Sequence, residues 1–127
     1  MREIRTLIVD DSSVMRKIVE RSLRQAGLDQ MIVYEAGNGA EGLDLLKSKS
    51  VDLILSDINM PSMDGLEFLR QIRAQGLAPG IPVVMITTES SEEHVKQAIM
   101  AGARGYIRKP FTAEQVKERV LPLVNAA

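Results

Sequence analysis

The chain has 127 residues, 45% of them hydrophobic and 26% charged, the composition of one globular domain with a self-sufficient core. Sixteen basic residues against 17 acidic ones leave a net charge of −1, so no basic excess points to nucleic acid. The lack of cysteine excludes a disulfide framework, a thiolate metal site and a cysteine nucleophile. "MREIRTLIVDD" is no signal peptide, and no apolar stretch approaches the ~18 residues of a membrane span, so a soluble, cytoplasmic protein with no membrane association is expected.

Hydrophobic runs and their breaks predict five strand–helix units. Strand one runs from Thr6 to Asp10. A helix follows that Ser12 or Ser13 can cap, ending near Gly27, with Val14, Ile18 and Leu23 as its apolar stripe beside Met15 and Val19. Strand two is Met31 to Glu35, and a helix from about Gly39 to Lys49 turns Leu43, Leu45 and Leu46 inward. Strand three is Asp52 to Asp57. In the loop "INMPSMDG" Pro61 and Gly65 break regular structure, and Asp64 can start a third helix carrying Leu66, Leu69 and Ile72.

Strand four is Pro82 to Thr87, and a fourth helix opens after "TTESSEE", whose serines can cap and whose acids suit a helix N-terminus. Strand five, Gly105 to Arg108, is closed by Lys109-Pro110. Thr112 caps a last helix bearing Val116, Val120 and Leu121, which Pro122 should kink or end.

Strands one, three and four are near-continuous apolar runs, as central parallel strands covered on both faces should be; two and five are more mixed, as edges are. Right-handed crossovers then favour an α/β fold, a (βα)5 doubly wound parallel sheet. The flavodoxin-like order 2-1-3-4-5 is adopted from precedent rather than from the residues, and it sets the switch point between strands one and three.

In that topology Asp10, Asp11 and Asp57 converge on one crevice at the carboxyl ends of the strands, where open α/β sheets bind ligands. Three close carboxylates repel one another, and a hard cation such as Mg²⁺ is their natural neutraliser; it keeps waters and commonly bridges carboxylates to phosphate. Phosphoryl transfer leaves roles for a nucleophile, a hydrogen-bond donor and a countercharge. Asp57 can attack phosphorus, Thr87 can donate to a phosphoryl oxygen, and Lys109 can act as the point charge.

These residues resemble the receiver domain of two-component response regulators along the whole chain. The likeness rests on the Asp10-Asp11 pair, "SDINMPSMDG" around Asp57, Thr87 before a polar loop, and "GYIRKPF" around Lys109. Each motif is weak alone, and the four together at the correct strand ends are specific. The resemblance implies Mg²⁺- or Mn²⁺-dependent phosphorylation of Asp57 by a histidine kinase. Asp11 and Asp57 would ligate the cation directly, Asn59 would add its main-chain oxygen, and Asp10 would act mostly through water. The Lys109–Pro110 peptide looks like the family's cis bond.

Within the family the chain is similar to the stand-alone, CheY-like chemotaxis type, a single receiver domain over 1–127 with no effector domain and no enzymatic turnover beyond its own phosphorylation and dephosphorylation. In that type Thr87 and Tyr106 switch, remodelling a surface of helix four, strand five and helix five where Val95, Tyr106, Arg108 and Arg119 lie. A flagellar motor switch or another output protein would bind there to a monomer. Asn59 and Glu89 would tune attack of water, implying a short-lived phosphoryl group. Ile58 replaces an aromatic residue of the chemotaxis type, and Arg108 replaces an apolar one.

Two other functions compete: a phosphorelay shuttle to a histidine phosphotransfer protein, and an aspartyl-phosphate phosphatase, which would want an acid where Asn59 stands. Gly37, Gly39 and Gly42 match G-x-G-x-x-G after a strand, with Asp57 twenty residues past Gly37, a nominal dinucleotide fingerprint. It sits on an edge strand, away from the switch point, which weighs against it. His94 is read as part of a solvated helix face, and Met60, Met63 and Met85 as adaptable packing.

Overall fold

The computed structural model describes residues 3–28, 30–60, 63–87 and 92–124, with the side chain of Glu92 left out. Five strands alternate with five helices: β1 (Ile4–Val9), α1 (Ser13–Gln25), β2 (Met31–Ala36), α2 (Gly39–Ser48), β3 (Leu53–Ser56), α3 (Gly65–Ala74), β4 (Val83–Thr87), α4 (Glu92–Met100), β5 (Gly105–Arg108) and α5 (Ala113–Val124). All strand pairs are parallel, in the order β2-β1-β3-β4-β5. The central strands are the three apolar runs, because only they can be covered on both faces.

Strand alternation divides the core in two. Leu7 and Val9 of β1, Ile54 of β3 and Val83 and Met85 of β4 face α2, α3 and α4. Ile8, Leu53, Leu55, Val84 and Ile86 face α1 and α5, meeting Val19, Leu23, Val116 and Val120. Thr6 shares this second face with Ile4 and Ile8; it is fully buried, and its hydroxyl has no hydrogen-bond partner among the described residues. α3 gives the first core its bulk, with Phe68, Leu69 and Ile72 fully buried. α4 adds little beyond Ala98: Val95 and His94 are half-buried, and Ile99 and Met100 are exposed. His94 is thus more covered than a solvated face implies.

Caps follow the residue chemistry. The side chains of Ser12, Asn38 and Asp64 accept from the N–H groups of Met15, Glu41 and Glu67, opening α1, α2 and α3. Thr112 and Gln115 bond reciprocally, as a capping box does, to open α5. Gly27 follows α1 at φ +120°, the left-handed region that favours glycine.

Three expectations are corrected. The inward stripe of α1 is Met15, Val19 and Leu23, while Val14 and Ile18 are 69% and 43% exposed. Two i, i+4 ladders compete in that helix, and the one continuing to Leu23 and Ala26 meets the sheet. Pro122 does not end α5, which runs to Val124 with the proline exposed. Gly65 does not break structure either. It is the first residue of α3 and is buried, and the backbone packs so closely there that a Cβ would collide with the Asp57 carbonyl oxygen. Strand limits shift by one or two residues, so Asp10 and Asp57 each lie one position past a strand.

Two glycines of the apparent dinucleotide fingerprint, Gly39 and Gly42, have a packing cause, whereas a Cβ on Gly37 would meet only ordinary contacts from 3.7 Å. A Cβ on Gly39 would meet the Met63 side chain at 2.8 Å, and one on Gly42 the Phe68 ring at 2.9 Å. Met60 and Met85 are buried, and Met63 packs against the same core. Among the described residues no helix is long and apolar enough to cross a membrane.

Candidate functional site

The acidic crevice forms where β1 and β3 end side by side. The Asp57 N–H donates to the Val9 carbonyl at 2.9 Å and the Asp10 N–H to that of Ala36 at 3.1 Å, so both acids are tethered at the strand ends. Asp10 and Asp57 are buried and Asp11 is exposed. One carboxylate oxygen from each lies within 4.8 Å of the others. Three carboxylate oxygens gathered this closely could hold a hard divalent cation such as Mg²⁺. The donor set is all oxygen, as a hard cation requires.

Lys109 enters from the other side. Its N–H donates to the Thr87 carbonyl at 2.8 Å, one step past the Thr87–Arg108 pair of β4 and β5. Its Nζ then reaches Asp10 Oδ2 at 3.1 Å and Asp57 Oδ2 at 3.4 Å. Thr87 itself is fully buried at the end of β4. One ammonium against three carboxylates leaves a surplus of negative charge that a divalent cation would match.

Asp57 Oδ1 accepts from the main-chain N–H groups of Ile58 at 2.7 Å and Asn59 at 3.3 Å. Burial holds the Asp57 carboxyl above the usual carboxylate range; Lys109 opposes this and the Asp10 charge adds to it. Asp10 Oδ1 accepts from the Ser12 N–H at 2.9 Å, which orients the carboxylate. Beneath it, Arg16 Nη1 donates to the Asp10 carbonyl at 2.6 Å and Arg16 Nε to Glu35 at 2.8 Å. The Lys17 and Arg16 side chains bonded to Glu35 hold its carboxyl below the ordinary range.

The expected site residues thus fall into groups. Asp10, Asp11, Asp57 and Lys109 come together, Thr87 stands at the end of the adjacent strand, and Asn59 is exposed beside Asp57. Tyr106, Arg108 and Arg119 line one groove of about 310 Å³ between β5 and α5, and Val95 is on α4 outside it. Glu89, with the polar loop before α4, lies outside the described residues. The Lys109–Pro110 peptide is cis. The main-chain donors of Ile58 and Asn59 have no residue-type signature and were not foreseeable. Arg16 and Glu35 show only as ordinary charges until β1 and β2 are paired.

Residues 6–121 match the response regulator receiver domain. This chain is a member of the response regulator receiver family. The receiver is 42% identical over 118 residues to a chemotaxis protein CheY homolog of Campylobacter jejuni, covering 92% of this chain and 89% of the relative. Its structure is similar to chemotaxis protein CheY4 of Vibrio cholerae, with TM-score 0.84, 34% identity, and 96% and 99% of the two chains covered. A CheY-like receiver domain protein of Methanospirillum hungatei superposes with TM-score 0.85 at 29% identity, covering 98% of this chain and 96% of that one. Receivers are signalling switches rather than enzymes of metabolism, and they bind Mg²⁺ in an acidic pocket of the kind formed here by Asp10, Asp11 and Asp57.

Proposed function

We propose that the receiver accepts a phosphoryl group on Asp57 from a histidine kinase and presents the α4–β5–α5 surface to an output protein, with chemotaxis as the pathway. The observation that carries this is the Lys109 ammonium spanning Asp10 and Asp57 beside the three-carboxylate cluster. Asp57 Oδ1 is occupied by two main-chain donors, which leaves Oδ2 as the attacking oxygen. A bond forms from Oδ2 to phosphorus as the phosphorus–nitrogen bond to the kinase imidazole breaks, and the bonding pair stays on the imidazole. Lys109, already at Oδ2, stays with the phosphoryl oxygens, and Thr87 donates to another of them.

Asp11, Asp57 and the Asn59 carbonyl would ligate Mg²⁺, with Asp10 acting mostly through water. The bound ion supplies charge neutralisation between carboxylates and phosphate. Occupancy of Thr87 biases one of two packings of Tyr106 and the groove beside it, a population shift whose size is the differential stability of those packings. The receiver acts in the cytoplasm, where its kinase and output partner meet it. The near full-length match to a relative named as a chemotaxis protein supports that reading.

The test is incubation with a small acyl phosphate and Mg²⁺, followed by intact-mass measurement. One phosphoryl group is expected on the wild type, none on Asp57→Asn, and loss of labelling on chelation. Equal labelling of Asp57→Asn would refute the assignment. Sustained hydrolysis of phosphate monoesters would instead favour a phosphatase.

A further inference from the structure

We infer that Arg16 and Glu35 are positioning residues for the cation half of the site: a guanidinium strut between β2 and the Asp10 carbonyl that fixes how the Asp10-Asp11 pair faces the crevice. The inference deepens the proposed function and rests on its reading of Asp10 and Asp11 as the cation's holders. β1 stops at Val9, and the Asp10 N–H still joins the ladder through the Ala36 carbonyl. The Asp10 carbonyl points beyond the ladder, where Arg16 Nη1 takes it at 2.6 Å. Both peptide groups flanking Asp10 are therefore held, so the direction in which Asp11 leaves is set as well.

Arg16 is itself held. Its Nε donates to Glu35 Oε1 at 2.8 Å, and Glu35 is the register partner of Ile8 on β2, which turns both toward α1. Arg16 is a first-turn residue of α1, so one guanidinium ties together a helix start, an edge strand and the end of the central strand. An arginine can do this because its fork offers separate N–H groups in fixed directions; a lysine is a single point charge. Lys17 Nζ meets the other Glu35 oxygen at 2.9 Å from a far more exposed position and has no contact with Asp10 among the described residues.

The charge balance makes the inference decidable. Glu35 is shared by Arg16 and Lys17, so the trio keeps a net positive charge that opposes a nearby cation. Removing Arg16 removes a positive charge, and electrostatics alone would then tighten Mg²⁺ binding. A purely structural role would lower stability and leave the affinity of the folded protein unchanged. Positioning predicts the opposite sign: weaker Mg²⁺ binding despite the lost positive charge.

The experiment is a Mg²⁺ titration of the unphosphorylated protein followed by amide chemical shifts, with circular dichroism reporting the fold. Arg16→Met should raise the Mg²⁺ Kd about tenfold, the lower end of what loss of a ligand's supporting contact costs. Arg16→Lys keeps the charge and is less disruptive, so it carries the test if Arg16→Met does not fold; it should raise Kd severalfold. Lys17→Met should stay within twofold of wild type. Wild-type or tighter Mg²⁺ binding in both Arg16 variants would overturn the strut while leaving the cation site intact. Failure of the wild type to bind Mg²⁺, or indifference to Asp11→Asn, would instead bring down the site reading and the strut with it.

Discussion

Gly65→Ala tests the link between the start of α3 and the geometry of Asp57, the proposed nucleophile. A methyl group there would lie 2.1 Å from the Asp57 carbonyl oxygen, 2.8 Å from Ile58 Cα and 2.7 Å from Met85 Cε. The methionine end can swing away, but the two backbone atoms cannot. Restoring a C···O separation of ~3.3 Å requires α3 and the end of β3 to part by roughly 1 Å. That movement breaks the hydrogen bond from the Gly65 N–H to the Ile58 carbonyl, now 2.8 Å. Overpacking at ~1–3 kcal/mol and the lost bond at ~1 kcal/mol sum to about 3 kcal/mol, or roughly 10 °C in Tm for a domain of this size.

The same displacement carries Asp57 away from Lys109 and the carboxylate cluster. A reacting group misplaced by ~1 Å can lose on the order of a hundredfold in rate. Gly76→Ala is the control: its φ of +65° favours glycine, but a Cβ there would meet nothing within 4 Å. It should cost ~1–2 kcal/mol of backbone strain and leave phosphorylation at the wild-type rate. Thermal unfolding and the rate of phosphorylation by a small acyl phosphate read both quantities. A Gly65→Ala protein that phosphorylates within twofold of wild type would refute the reasoning.

Asp57→Asn should stabilise the metal-free protein near neutral pH while abolishing phosphorylation, by on the order of 1 kcal/mol once the lost Lys109 contact is set against relief of a buried charge. The sign follows from linkage: burial raises the Asp57 pKa in the fold, so the folded state holds a proton that the unfolded chain has released. Stability therefore falls as pH rises from the ordinary carboxylate value through the raised one, and the gain from Asn should vanish in acid, as melting across pH will show. Mg²⁺ at ten times its Kd should add about 1.4 kcal/mol to wild-type stability and almost nothing to Asp11→Asn, whose exposed side chain carries little of the fold. Thr6→Val should raise stability by about 1 kcal/mol, because the hydroxyl it removes is fully buried without a hydrogen-bond partner among the described residues. An unchanged or lowered denaturation midpoint would contradict that.

Strand character was readable in this chain because parallel central strands must be apolar on both faces, and "TLIV", "LIL" and "VVMI" can be little else. The acids, the threonine and the lysine were readable for the complementary reason: a polar group that ends such a run stands at the sheet's carboxyl edge. The face of α1 was not, since Val14 and Ile18 continue the helical period as well as Met15 and Val19 do, and only contact with the sheet decides between them. Pro122 was no guide to the end of α5, since a proline late in a helix need not stop it at once and α5 continues to Val124. The donors on Asp57 Oδ1 belong to the backbone and Arg16 acts on a carbonyl, so neither leaves a motif.

Ala98 is fully buried where α4 meets the sheet, while Ile99 and Met100 of that helix stand in solvent. A methyl group anchors far less free energy than the leucines and phenylalanine of α3, about 0.8 kcal/mol for each buried carbon. The exposed positions of α4, Glu93, Lys96, Ile99 and Met100, can therefore be rewritten over evolutionary time without recutting the core. Duplicated copies of such a gene could keep one chemistry at Asp57 and acquire different listeners, each specified by a helix that the fold hardly constrains.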